Sequence, residues 1–189
     1  TAEAIASAQQ PQAGAGGVPA LHTEDAIGEC HYGAWTGGWL SDLAMEPLWR
    51  EVQDRPSAVS FPSHDHFAAE SMTQMRDRAV TAVTAWDERI EAEHGPGAVW
   101  AVVSHGDVIK SLVSWFLDSP FDRFQRIVID PASLTIVRTA PRSGPPFVLR
   151  VNDTGSDPVD LTGLSRTLAD KDPGSTSGDE GVEDALEVV

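Results

Sequence analysis

A chain of 189 residues, 41% of them apolar, is about one domain's worth and argues against global disorder. Its formal charge of −16 argues against a nucleic-acid binder, which needs a basic stripe, but leaves room for a local anion site. The single cysteine, Cys30, excludes an internal disulfide, and no apolar run approaches the ~20 residues of a membrane span.

In chain order, Thr1 to Gln10 reads as the last turns of an Ala-rich helix broken by Pro11, with Pro11 to Pro19 a Gly/Ala/Pro loop. No cap stands in front of this helix, and the first residues have neither the basic nor the apolar part of a signal peptide, so a cytoplasmic protein is expected. Asp25 to Gly38 is a loop rich in Gly and aromatics. Leu40, Leu43, Leu48, Trp49 and Val52 then recur at helical spacing, with Pro47 suited to the first turn of a second short helix. Arg55 to Ala69 is irregular. The clearest helix follows, with Met72, Met75, Ala79, Ala82, Val83, Trp86 and Ile90 three and four apart, and Gly95-Pro96-Gly97 ends it.

Ala98 to Val103 (AVWAVV) is a continuous apolar run, which predicts a strand buried on both faces. Ser104-His105-Gly106-Asp107 makes a tight junction into a helix from Val108 to Leu117, closed by Ser119-Pro120. Leu134 to Arg138 and Phe147 to Val151 flank a Gly/Pro loop, Ala140 to Pro146, and predict a hairpin. The order is that of an α/β protein. Residues 156–189 hold nine acidic and two basic residues among Gly, Ser and Thr, which predicts a disordered acidic tail after a domain over 1–155.

Three places could carry chemistry. At the end of the Val99–Val103 run, His105 stands where ligands bind in open α/β sheets, and the N–H groups of the following helix favour an anion there. Gly106 would let the backbone approach a phosphate closely. The alternative is that His105 merely caps the helix. In Glu29-Cys30-His31-Tyr32-Gly33, partial burial of Glu29 could raise its pKa and make it a general acid; alternatively it only accepts loop N–H bonds. A Cys30 nucleophile is set aside, because a thiol phosphatase loop needs Arg six residues on and Thr36 is there. His64-Asp65-His66 has no further ligand to complete a metal set, so no metal and no cofactor is expected.

Taken together, these segments resemble the histidine phosphatase (phosphoglycerate mutase-like) superfamily. Glu29 to Gly37 (ECHYGAWTG) is similar to that family's acid-bearing loop, ERHYGALQG, and Ser104-His105-Gly106-Asp107 to its second His motif. Glu70-Ser71-Met72 resembles the GES that starts a long helix, and Thr1 to Ile5 the segment after the second phosphate-binding Arg. The likeness runs from Thr1 to about Thr154. It implies a three-layer α/β/α sandwich with a mostly parallel central sheet. It also implies phosphomonoester hydrolysis through a phosphohistidine, with Glu29 as acid/base, His105 and Gly106 at the phosphate, and His31 and Tyr32 on the substrate side. The expected partners are a small phosphorylated metabolite and a second copy of the chain.

The Arg-His-Gly triad that carries the family's nucleophile occurs nowhere in the 189 residues. The resemblance therefore implies a chain lacking the first strand and helix start, inactive as it stands, with an exposed hydrophobic strand edge. Cys30 replaces the Arg that follows Glu in phosphoglycerate mutases, and only Arg50 and Arg55 precede Glu70, so a phosphomonoesterase is expected ahead of a phosphomutase. The reading from another class is a non-catalytic module that binds a phospholigand or a protein through its acidic tail.

Overall fold

The computed structural model describes residues 1–9, 20–139 and 144–155. Five α-helices and one pair of strands appear there: α1 (Ala2–Gln9), α2 (Leu40–Leu43), α3 (Pro47–Asp54), α4 (Met72–His94), α5 (Gly106–Phe116), β1 (Leu134–Arg138) and β2 (Phe147–Asp153). Short 3₁₀ turns lie at Asp25–Ile27, Gly33–Trp35, Pro56–Ala58 and Phe121–Arg126. The predicted loop at Pro11–Pro19, most of the one at Ala140–Pro146 and the predicted tail lie outside the described residues.

α4 begins where its sequence says it should. The Ser71 side chain accepts from the Gln74 N–H, and the Gln74 side chain accepts from the Ser71 N–H, closing a capping box. Gly95, at φ +86°, follows its last turn. The apolar stripe of α4 buries Met72, Met75, Ala79 and Val83 against Val108 and Leu112 of α5 and against Val59, Phe61, Phe121 and Phe124. Pro47 opens α3, where its missing N–H costs nothing.

The hairpin predicted at the carboxyl side is present. β1 and β2 pair antiparallel, from Leu134 opposite Asp153 to Arg138 opposite Phe147, with irregular register around Ile136. It is also the only sheet among the described residues. Mixed helix and strand agree with the α/β class.

The run Ala98–Val103 departs from expectation. No strand is formed there, and burial alternates: Trp100 and Val102 pack against the core, while Val99 is 96% exposed and Val103 37%. A continuous apolar run leads one to expect two covered faces. Here one face meets the core and the other is exposed, and the run as a whole lines a groove of about 820 Å³ together with Ile5, Ile27, Trp86 and Ile90. A strand is defined by its ladder, and no described segment pairs with this run to supply one.

Two links fasten this run in place. Trp100 Nε1 donates to Asp87 Oδ1 on α4 at 3.1 Å, and Ser104 Oγ donates to the Ile27 carbonyl at 2.6 Å. The second joins the start of α5 to the loop that carries Glu29.

Candidate active site

The Glu29 loop is built on a tight crossing. Gly33 has φ +55°, and a Cβ there would strike the Pro62 carbonyl and come within 2.7 Å of Ala69 Cβ. Gly33 N–H donates to the Ala68 carbonyl and Ala34 N–H to the Pro62 carbonyl, while Tyr32 and Ala69 form an antiparallel bridge. Ala69, where the resembled pattern has Gly, thus lies directly on the loop. Its methyl is accommodated because Gly33 has none.

On the other side, α5 begins at Gly106 with His105 as its N-cap residue in extended conformation. The His105 side chain makes no capping hydrogen bond. It is half-exposed, and its Nδ1 lies 3.6 Å from Glu29 Oε2. The capping alternative for His105 is therefore not realised. A Cβ at Gly106 would meet no atom of the described residues within 4 Å, so the space beside the first residue of α5 is open among them.

Glu29 is one-fifth exposed at its side chain. Burial raises its carboxyl above the usual range, with the negative Asp107 adding to the effect. The Cys30 N–H, which donates to Glu29 Oε1 at 2.7 Å, His105 and the Tyr32 hydroxyl act in the opposite direction without cancelling it. A carboxyl so placed is biased toward holding a proton, the property a general acid needs. Tyr32 is half-buried beside it, and burial, then Asp107 and Glu29, keep its phenol neutral. Asp107 is in turn paired with Lys110, Nζ to Oδ1 at 3.1 Å, and Lys110 also donates to Gln125 Oε1.

The remaining sequence candidates fall out differently. His31 points to Glu70 (Nδ1 to Oε1, 3.8 Å) with its side chain more than half exposed. Burial pushes the Cys30 thiol far up, with Glu70, Asp107 and Glu29 adding to it, so a thiolate nucleophile is disfavoured on physical grounds too. His64 stacks on Phe67 and accepts from the His66 N–H, all within one exposed loop.

Sequence reasoning missed Arg78. Its signal was a charge set within the apolar stripe of α4, between Met75 and Ala82, which demands partners. They are Glu70, at 2.6 Å from Nη2, and the carbonyls of Ala26, Gly28 and Glu29 at 2.8, 2.9 and 2.8 Å. Burial pushes the Glu70 carboxyl up, but the Arg78 hydrogen bonds, the His31 N–H and the Arg78 charge outweigh it and hold Glu70 below the usual range.

A carboxyl biased to protonation, a histidine facing it and an open helix N-terminus define a site suited to transferring an anionic group. The chain belongs to the histidine phosphatase superfamily (branch 1), whose family model matches residues 1–154. Among solved structures it is similar to Bacillus stearothermophilus YhfR, at 24% identity and TM-score 0.58, covering 70% of this chain and 61% of that one. Two mycobacterial hydrolases are similar at 19% and 18% identity, with TM-scores of 0.53 and 0.56. The first match covers 70% of this chain and the second 75%, and each covers 64% of the other protein. The chain thus spans less than two thirds of the length of these structures. No curated protein matches it.

Proposed function

We propose that the site serves phosphomonoester hydrolysis through a phosphohistidine, on a small phosphorylated metabolite. The observation that carries the reading is the facing pair of Glu29 and His105 at the open start of α5, 3.6 Å apart. In the first step a histidine nitrogen attacks phosphorus, the P–O ester bond breaks, and Glu29 gives its proton to the leaving alkoxide. In the second, water attacks phosphorus, Glu29 takes the water's proton, the P–N bond breaks to free the histidine nitrogen, and inorganic phosphate leaves. His105, when protonated, and the N–H groups around Gly106 would hold the phosphoryl oxygens in both steps. His31 and Tyr32 would face the substrate.

No Arg-His-Gly occurs in these 189 residues, so the nucleophile must come from outside them, and the residues alone are expected to be inactive. A phosphomutase acting on doubly anionic substrates is less well supported. Arg50 and Arg55 are exposed and already paired with Asp54 and Glu51 on α3.

The test is turnover of p-nitrophenyl phosphate by the chain alone and by the chain joined to an upstream Arg-His-Gly-bearing segment. Hydrolysis by the second, lost on Glu29→Gln, supports the reading. No turnover by either would sink it.

A further inference from the structure

The backbone of the Glu29 loop is gripped by one guanidinium. Arg78 has five N–H groups and all five are used. Nε donates to Glu70 Oε2 at 3.0 Å, and Nη2 to Glu70 Oε1 at 2.6 Å. The other Nη2 proton goes to the Glu29 carbonyl at 2.8 Å, and Nη1 serves the Ala26 and Gly28 carbonyls at 2.8 and 2.9 Å. Glu70 Oε1 also accepts from the His31 N–H at 2.9 Å, so the grip extends past Glu29 on both sides.

One peptide unit carries the consequence. The carbonyl of the Glu29–Cys30 peptide accepts from Arg78, while its N–H donates to the Glu29 carboxylate at 2.7 Å. The two groups of a trans peptide are coplanar and point opposite ways. Fixing the carbonyl therefore fixes the direction of the N–H, and with it the place of the carboxylate that accepts it.

We propose that Arg78 is a positioning residue: by clamping the Glu29–Cys30 peptide plane it aims the Glu29 carboxylate at His105. The proposal deepens the phosphatase reading and rests on it for its meaning in catalysis. The geometry requires the fork itself, since a lysine offers three donors on a point charge and cannot span Glu70 and three carbonyls together. The groups facing Glu29 are His105 and Asp107 from the start of α5, Cys30 and Tyr32 from its own loop, and Arg78 from α4. Losing the aimed N–H and the guanidinium removes two influences that favour the ionised carboxylate. Glu29 should then hold its proton to higher pH.

Carboxyl-carbon NMR titration of the 189-residue chain reads this directly, with no need for turnover. In the wild type, the Cys30 amide shift should follow the Glu29 midpoint, as an N–H bonded to that carboxylate must. Arg78→Lys and Arg78→Gln should both move the midpoint upward, further than for any carboxylate outside the loop. A lysine variant that titrates like the wild type would reduce Arg78 to a charge, and folded variants with an unmoved midpoint would reduce it to a structural prop; either overturns the proposal. Should both fail to fold, Glu70→Gln loosens the fork by weakening one of its anchors. The Cys30 amide should then follow the Glu29 midpoint less closely than in the wild type, and an unchanged coupling, or a wild-type Cys30 amide deaf to Glu29, ends the proposal. A shifted midpoint without turnover in the extended protein would keep Arg78 in its role and remove the enzyme reading instead.

Discussion

Ser104 and Ile27, 77 residues apart, are joined by a 2.6 Å hydrogen bond from the serine hydroxyl to the isoleucine carbonyl. Ser104 immediately precedes His105, and Ile27 lies two residues before Glu29. The bond therefore ties the two halves of the candidate site directly, while Arg78 and α4 tie the Glu29 half to the core.

Ser104→Ala should cost about 0.5–1.5 kcal/mol, the loss of one neutral hydrogen bond. It should also loosen His105 from Glu29. Urea denaturation measures the first, and the response of the His105 ring signals to Glu29→Gln in the serine and alanine backgrounds measures the second. Equal responses in both would show that the bond does not couple the two residues.

Glu29→Gln should stabilise the chain at neutral pH. The folded protein holds the Glu29 proton above the ordinary carboxylate range because burial raises it. Between the ordinary and the raised value the native state binds more protons than the unfolded one, so stability falls as pH rises through that window. Glutamine keeps an acceptor for the Cys30 N–H and removes the buried charge. Thermal melts at about pH 8 should favour the variant, and melts at about pH 4 should bring the two together. A variant less stable at the higher pH would contradict this.

Glu70 has the opposite sign. Its carboxyl is held below the usual range, so its contribution is present above the ordinary carboxylate value and lost as pH falls toward the lowered one. Glu70→Ala leaves Arg78, which is only one-fifth exposed at its side chain, without its carboxylate. Breaking such a pair from one side should cost about 3–5 kcal/mol at neutral pH and less in acid. Denaturant midpoints across pH test both the size and the trend.

Gly33→Ala should destabilise by at least about 1–3 kcal/mol, because a residue with a Cβ is strained at φ +55° and the Pro62 carbonyl blocks the methyl. Gly106→Ala should leave stability within about 0.5 kcal/mol, as no described residue meets that methyl. Comparing the two denaturation midpoints separates a glycine the fold needs from one whose space is left free.

Val99→Lys should also change stability by no more than about 0.5 kcal/mol, since the side chain is 96% exposed. Light scattering of concentrated solutions should fall, because the substitution places a charge on an open apolar edge. A large loss of stability would instead restore the strand covered on both faces.

Much of the fold is legible locally. α4 declares itself by a capping box, an apolar stripe and a terminal glycine, and each of these acts within a few residues of chain. The hairpin is equally local, and its second strand only runs two residues past its expected end, to Asp153. The run Ala98–Val103 is where local reading fails, because hydrophobicity shows that a segment seeks cover and not how many faces find it.

For the site, the chain order of its residues was enough to single out Glu29 and His105 and, through the motifs around them, the superfamily. It could not show that Asp107 crowds Glu29, that His31 turns to Glu70, or that Arg78 spends every donor on the loop. Those contacts bridge some 50 residues of chain, as from Arg78 to Gly28, and no local propensity encodes them. They arise only when α4 and the start of α5 bring the Glu29 loop between them, where burial makes each unpaired polar group costly and each pairing decisive.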